Sequence, residues 1–366
     1  MKFRCEREIL AEALTTAGRS ATSRTATLPV LSGLRLDITT DELRITGTDL
    51  ELTIQLTIPV HADRTGSAVV PARLVADIVK ALPPGGVEIS VTDDEMSISA
   101  GRSQFSVRPL SLIDYPAIVE SDVSPVELGS KEVAQALRQV VRAASTDDAR
   151  AVLTGVQLSA SDDGVKLVAT DSYRLAVREL PQSTMLTAGQ QVLVPSRALA
   201  ELQRILPDGD SDQLRVRFGA REAVFETGDI KLTTRLIEGD YPNVANLLPS
   251  SYPNKLTVGR DALMEALRRV KILAQDSTPV RLTLGGSTVQ LTAITQDVGN
   301  AAEEIDAVYE GADMTIAFNP DYFAAGLDAV EGDEVTLETL DPMKPAVLRG
   351  VGHAEYLYLL MPVRVP

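Results

Sequence analysis

A short apolar run, a proline and a helical pattern recur three times in this chain of 366 residues. The copies are Val70-Pro71-Ala72-Arg73 running on to Leu82, Val194-Pro195-Ser196-Arg197 running on to Leu206, and, more loosely, Asn319-Pro320-Asp321-Tyr322 running on to Val330. The prolines stand at 71, 195 and 320, intervals of 124 and 125 residues. Proline has no N–H, and the first helical turn leaves its N–H groups unpaired anyway, so each copy reads as strand, proline, helix. So regular a period predicts three similar domains in tandem, each of ordinary domain size.

Other landmarks keep the register. Leu31-Ser32-Gly33 matches Leu153-Thr154-Gly155, and Gly47-Thr48-Asp49 matches Ala169-Thr170-Asp171, both offset by 122; Asp114-Tyr115-Pro116 matches Asp240-Tyr241-Pro242 at 126. Turn-rich boundaries put the domains at 1–122, 129–249 and 255–366. Each third opens on a further helix, predicted over 7–19, 130–145 and 260–275 from apolar residues at helical spacing: Ile9, Leu10, Ala13, Leu14 and Ala17; Val133, Leu137, Val140 and Val141; Leu263, Leu267 and Val270. Ser130 is the expected N-cap of the second. Period-two strands follow, such as Leu34, Leu36 and Ile38, then Val156 and Leu158, then Leu282 and Leu284. The expected class is α+β, helices packed on antiparallel sheets.

Composition narrows the function. One cysteine, Cys5, excludes an internal disulfide and any CxxC centre. The charged start and the lack of a long apolar run predict a cytosolic protein with no membrane association. The net charge of −16 argues against a polyanionic partner, but it is unevenly spread. The stretches 7–24, 71–82, 130–145, 195–206 and 260–275 hold 14 basic and 7 acidic residues, a net of +7 against −23 elsewhere. Helices sharing one face would make that face cationic and focus a polyanion there. Aromatics are 4% and tryptophan is absent, so phosphate contact with a duplex suits the chain better than stacking on unpaired bases.

Chemistry is sparse. The two histidines, His61 and His353, lie in unrelated repeats, and no phosphate-binding loop, dinucleotide fingerprint, zinc-protease or nucleophile-elbow motif is present. Asp208, Asp210 and Asp212 begin like a calcium loop, but Gln213 and Gly219 stand where the turn glycine and bidentate glutamate belong. Thr48-Asp49 and Thr170-Asp171 read as repeated strand-end turns. The apolar end, Tyr356 to Pro366, reads equally as a buried strand or as the lining of a groove for a hydrophobic peptide. On residues alone, a three-domain peptide-binding scaffold without DNA and a carboxylate-dependent hydrolase both stay open.

Taken together, Leu28-Pro29-Val30-Leu31, Gly47-Thr48-Asp49-Leu50-Glu51, Val70-Pro71-Ala72-Arg73, Thr170-Asp171-Ser172-Tyr173-Arg174-Leu175-Ala176-Val177 and Met361-Pro362-Val363-Arg364-Val365 resemble the bacterial DNA polymerase III beta subunit family, the sliding clamps, over the whole chain. The resemblance implies a non-enzymatic processivity factor without cofactor or metal, three clamp domains per chain and a head-to-tail ring homodimer with twelve inward helices. Twelve helices about 8 to 10 Å apart enclose a circle roughly 31 to 38 Å across, whereas six enclose only about 15 to 19 Å. The implied partners are double-stranded DNA, a second copy of the chain, the DNA polymerase III alpha subunit, the clamp loader and other proteins carrying a clamp-binding motif.

Carried over by position, the resemblance puts a partner-peptide pocket at Leu153, Thr170, Arg174, Leu175, Pro242, Leu247, Met361, Pro362, Val363 and Arg364. It puts DNA contacts at Arg24, Arg73 and Arg197, and dimer contacts at Phe105 and Val107 of one subunit with Ile272 and Leu273 of the other. Ser172-Tyr173 replaces the Gly-His of many relatives, and Tyr173 is expected to narrow the pocket or alter its peptide preference.

Overall fold

The structure is a computed structural model and describes residues 1–21, 28–118, 123–206, 213–244, 247–248, 251–274 and 278–364. Its helices are α1 (Arg7–Gly18), α2 (Ala72–Ala81), α3 (Ser130–Val140), α4 (Ser196–Ile205), α5 (Arg260–Lys271) and α6 (Pro320–Ala329). Two fall in each third of the chain, as the repeat predicts.

The chain divides into two compact units, one of 1–131 with 201–236 and one of 132–200 with 237–366. In the first unit, strands His61–Arg64, Lys2–Glu6, Gly86–Val91, Met96–Ala100 and Ser103–Val107 form a five-stranded antiparallel sheet in that spatial order. An eight-stranded sheet runs beside it, and its middle ladder joins Ile230–Arg235 to Leu52–Pro59, with Leu232 opposite Ile54. The second unit has one twelve-stranded sheet, whose corresponding ladder joins Arg174–Pro181 to His353–Leu360. These ladders cross the boundaries drawn from the repeat, which is why compactness finds two bodies where the sequence has three copies.

The alternating positions behave as the period-two pattern requires. Leu34, Leu36, Ile38, Val156, Leu158, Leu282 and Leu284 are all buried. In α1 the stripe is Leu10, Ala13, Leu14 and Ala17, whereas Ile9, one position off it, is 42% exposed and is not core. Three further local expectations are corrected. α3 stops at Val140 and tightens into a 3-10 turn over Val141–Ala143, so it is shorter than 130–145. The Ser130 hydroxyl is buried without a hydrogen-bond partner, so it caps nothing. Pro71 and Pro195 end their strands immediately before α2 and α4, and only Pro320 occupies a first helical position. No helix among the described residues is long and apolar enough to cross a membrane.

Candidate functional site: a turn, an arginine and the C-terminal segment

The strand Gly164–Thr170 ends in a tight turn before the strand Arg174–Pro181. Asp171 makes this turn because a short carboxylate reaches backbone groups two and three residues ahead. Its Oδ1 accepts from the backbone N–H of Tyr173 at 2.9 Å and of Arg174 at 3.0 Å. The Ser172 N–H donates to Thr170 Oγ1 at 3.1 Å, and that hydroxyl donates to the Arg174 carbonyl at 2.6 Å. The geometry drives Ser172 to φ 80°, a left-handed conformation uncommon for a residue with a Cβ. Arg150 pins it, donating from Nη1 to Ser172 Oγ at 2.9 Å.

Arg174 is the focus of the site. Its Nε donates to the second Asp171 oxygen, Oδ2, at 2.9 Å, its Nη1 reaches the Tyr358 hydroxyl at 3.5 Å, and its Cζ lies 4.5 Å from the centre of the Tyr322 ring. Burial works against the charge, yet Tyr358 and Asp171 together hold the pKa above its ordinary value, so the guanidinium stays cationic. Burial pushes the Tyr358 phenol up to about 12, and as a neutral donor its O–H donates a hydrogen bond to the Tyr322 carbonyl at 3.0 Å. Tyr358 fits there because α6 carries Gly326 beneath it; a Cβ on that glycine would lie 2.5 Å from the Tyr358 ring.

Behind this polar cluster is an apolar floor. Leu175, Val168, Val177, Val347, Leu357 and Leu359 pack together, with Tyr241, Val244, Leu248 and Tyr252 half-buried on top. The Tyr241 hydroxyl accepts from the Thr170 N–H at 2.9 Å, fixing the segment around Pro242 to the turn. The chain end changes character at Leu360. Tyr356 to Leu360 form a buried strand, with Leu360 opposite Arg174. Met361 and Val363 then emerge 39% and 36% exposed, held because the Met361 N–H donates to the Tyr173 carbonyl at 2.9 Å and the Val363 N–H to the Ala317 carbonyl at 2.8 Å.

Of the pocket residues carried over by resemblance, Thr170, Arg174, Leu175 and Met361 are thus joined through the turn, while Val363 is held to Ala317. Pro362 and Arg364 continue the same segment, half-buried and exposed respectively. Leu153 is buried at the end of the 3-10 helix Asp148–Thr154, which carries Arg150 to the turn, and Leu247 is 45% exposed beside the apolar floor. That carry-over omitted Asp171, Tyr322, Tyr358, Tyr241 and Arg150. Asp171 was visible in the repeated Thr-Asp pair and Tyr241 in the repeated Asp-Tyr-Pro; Tyr322, Tyr358 and Arg150 come from α6, the last strand and a 3-10 helix, and no local spacing ties them to Arg174.

Elsewhere, Arg73 on α2 is 92% exposed with Asp77 3.8 Å away, Arg197 is exposed on α4, and Arg24 lies outside the described residues, as do Asp208, Asp210 and Asp212. Several other helix cations already have carboxylate neighbours, including Arg142 with Asp328 and Arg269 with Glu303, so the +7 of the helices is partly neutralised within the chain. Phe105 and Ile272 are 40% and 73% exposed and Leu273 is half-buried; Val107, at 6%, belongs to the core of its own domain. Among the described residues one group has metal-ligand spacing, Glu331, His353 and Glu355. Its carboxylates are occupied: Arg178 lies 3.0 Å from Glu355 and Arg138 lies 3.5 Å from Glu331.

Residues 1–119 match the N-terminal domain of the DNA polymerase III beta subunit, 127–243 its central domain and 245–364 its C-terminal domain. The chain is 35% identical to the beta sliding clamp of Streptomyces coelicolor, covering 100% of both, and 33% identical to that of Staphylococcus aureus, covering 100% of this chain and 99% of the relative. Its structure superposes on the Bacillus subtilis DNA polymerase sliding clamp with a TM-score of 0.92 at 27% identity and full coverage of both chains. The chain belongs to the DNA polymerase III beta subunit family and is a DNA sliding clamp, a non-catalytic processivity factor of replication.

Proposed function

We propose that the clamp acts as a head-to-tail ring homodimer of six domains, cut at 1–122, 129–249 and 255–366 in each chain, around double-stranded DNA. Two sheet edges support this closure. Among the described residues the strand Ser103–Val107 is paired on one side only, and in the strand Gly299–Glu310 residues 299–306 pair with Thr288–Thr295 while their other edge has no described partner. Open edges of this kind template strand addition from another chain. Phe105 lies on the first edge, and Leu273 is next to the second, 3.9 Å from where a Cβ on Gly299 would stand. Phe105 of one subunit meets Ile272 and Leu273 of its mate in this reading, with Val107 supporting that strand from the core of its own domain, and Arg24, Arg73 and Arg197 contact phosphates without reading bases.

The Arg174 turn is the partner site in this reading. Leu153, Thr170, Arg174, Leu175, Pro242, Leu247 and Met361 to Arg364 seat a short peptide from the DNA polymerase III alpha subunit, the clamp loader and other clamp-binding-motif proteins. The observation that carries it is the half-exposed Met361 to Arg364 segment, tied through Met361 to the turn that holds the charged Arg174, which offers one polar anchor and the exposed Met361 and Val363 side chains to an extended ligand. Relatives from Pseudomonas aeruginosa and Bartonella birtlesii have been solved bound to griselimycin, consistent with a ligand-taking surface on this fold. The protein works in the cytoplasm, where a tethered polymerase rebinds at high effective concentration.

Loading the protein on a nicked circular plasmid with a clamp loader and then linearising the DNA tests the ring. Topological enclosure predicts release from the free ends at constant salt; retention on the linear DNA would mean ordinary binding.

A further inference from the structure

Tyr173, expected from its place in the turn to narrow the pocket or alter its peptide preference, has its side chain free to do so. Its backbone is fully engaged, the N–H with Asp171 and the carbonyl with the Met361 N–H. Its side chain is the opposite: the residue is 60% exposed and its hydroxyl makes no hydrogen bond among the described residues. Its ring stacks on Tyr322, with centroids 6.4 Å apart and planes inclined by 25°. Tyr322 is held in place from other directions, its carbonyl by the Tyr358 hydroxyl and its ring by the Arg174 guanidinium. A fixed aromatic surface is therefore covered by a loosely held one, at the arginine around which a peptide has to settle.

We propose that Tyr173 is a latch on the peptide site: its ring occupies the Tyr322 face in the free clamp, and a peptide seats there by displacing it. This rests on the peptide-site reading above and names how that site discriminates. Every ligand forfeits the Tyr173–Tyr322 stack on binding. A ligand carrying an aromatic side chain restores a stack on Tyr322, and an aliphatic one does not. An aromatic pair of this kind corresponds to roughly two- to tenfold in affinity. The latch thus lowers affinity for all peptides equally, while Tyr322 sets the preference for aromatic ones.

The test uses two fluorescein-labelled peptides, Ser-Ser-Leu-Ser-Leu-Phe and Ser-Ser-Leu-Ser-Leu-Leu, titrated by fluorescence anisotropy against the full-length clamp and its variants. The native protein is expected to bind the phenylalanine peptide roughly two- to tenfold more tightly. Tyr173→Ala tightens both peptides by a similar factor and leaves their ratio unchanged, whereas Tyr173→Phe, which keeps the stack, matches the native protein. Tyr322→Leu collapses the ratio, and adding Tyr173→Ala to it has no further effect. Weaker or unchanged binding by Tyr173→Ala, while Arg174→Ala weakens binding about tenfold or more, overturns the latch and leaves the pocket standing. Equal binding by Arg174→Ala, or none by the native protein, removes the pocket reading and the latch with it. A peptide-free measurement is also available, because the sequence has no tryptophan. In the Tyr173→Trp variant, acrylamide quenching is expected to rise when Tyr322→Leu is added; identical quenching in the two backgrounds would show that no stack exists.

Discussion

The turns at Thr48–Leu52 and Thr170–Arg174 are the same backbone device used twice. In both, a threonine hydroxyl receives the N–H two residues on, at 3.1 Å in each case. In both, the following aspartate Oδ1 receives the next two N–H groups, at 3.0 and 2.8 Å in the first turn and 2.9 and 3.0 Å in the second. Leu50 and Ser172 adopt matching left-handed conformations, φ 78° and 80°. The turns part at the residue that follows. Leu52 is buried in the first unit, whereas Arg174, 122 positions on, keeps its charge against Asp171 and faces Tyr322 and Tyr358. One side chain after an identical turn separates a core position from a site, so the turn is scaffold and the chemistry depends on what the neighbouring strands bring to it.

Leu52→Ala against Arg174→Ala breaks the comparison most strongly. Emptying the buried Leu52 position is expected to cost about 2–5 kcal/mol of unfolding free energy by urea denaturation. It leaves peptide affinity intact in the protein that remains folded. Arg174→Ala reverses the pattern, with a smaller stability change and a loss of peptide affinity on the order of ten- to a hundredfold, as expected for a charge-assisted anchor. Equal stability losses with no effect on peptide binding would erase the distinction.

Gly326→Ala sharpens it from the supporting side. The added methyl would collide with the Tyr358 ring, so a stability loss of about 1–3 kcal/mol is expected, together with weakened peptide binding, since Tyr358 holds Tyr322. An unshifted melting temperature would show that α6 yields freely.

Alkaline titration follows. Burial raises Tyr358 and Tyr241 to about 12, above the value near 10 of an unfolded tyrosine. Each contributes fully below pH 10, and that contribution is lost as pH rises towards 12, because the unfolded phenol ionises first. The native protein should therefore lose stability faster than Tyr358→Phe in that window, by at most about 1.4 kcal/mol per pH unit. Parallel curves would contradict the burial of the phenol.

The smallest expected effect belongs to Asp171→Asn. An amide oxygen can still accept both backbone bonds, so the turn persists. The variant gives up the charged partner of Arg174, at a cost of about 1 kcal/mol in the same urea titration, and an unshifted midpoint would show that the ion pair adds nothing.

The tandem plan was legible in the sequence because it rests on local rules. The proline period marked α2, α4 and α6, and alternation marked the buried strand positions. The whole-chain resemblance supplied the family and named Arg174 with the C-terminal segment. What stayed hidden was set by long-range packing. Ile9 looked like core because helical spacing tolerates a neighbour of the stripe, and Ser130 looked like a cap because residue type says nothing about where a hydroxyl points. The tyrosines around Arg174 come from α6 and the last strand, some 150 to 184 residues away, and only the fold brings them to the turn.

The most direct test loads native and Arg174→Ala clamps on the same circular primed template and measures both retention on the circle and polymerase synthesis. The expected result is equal retention, with processive synthesis lost in the variant. Full stimulation by Arg174→Ala, retained normally on the circle, would contradict the assignment of partner binding to this turn.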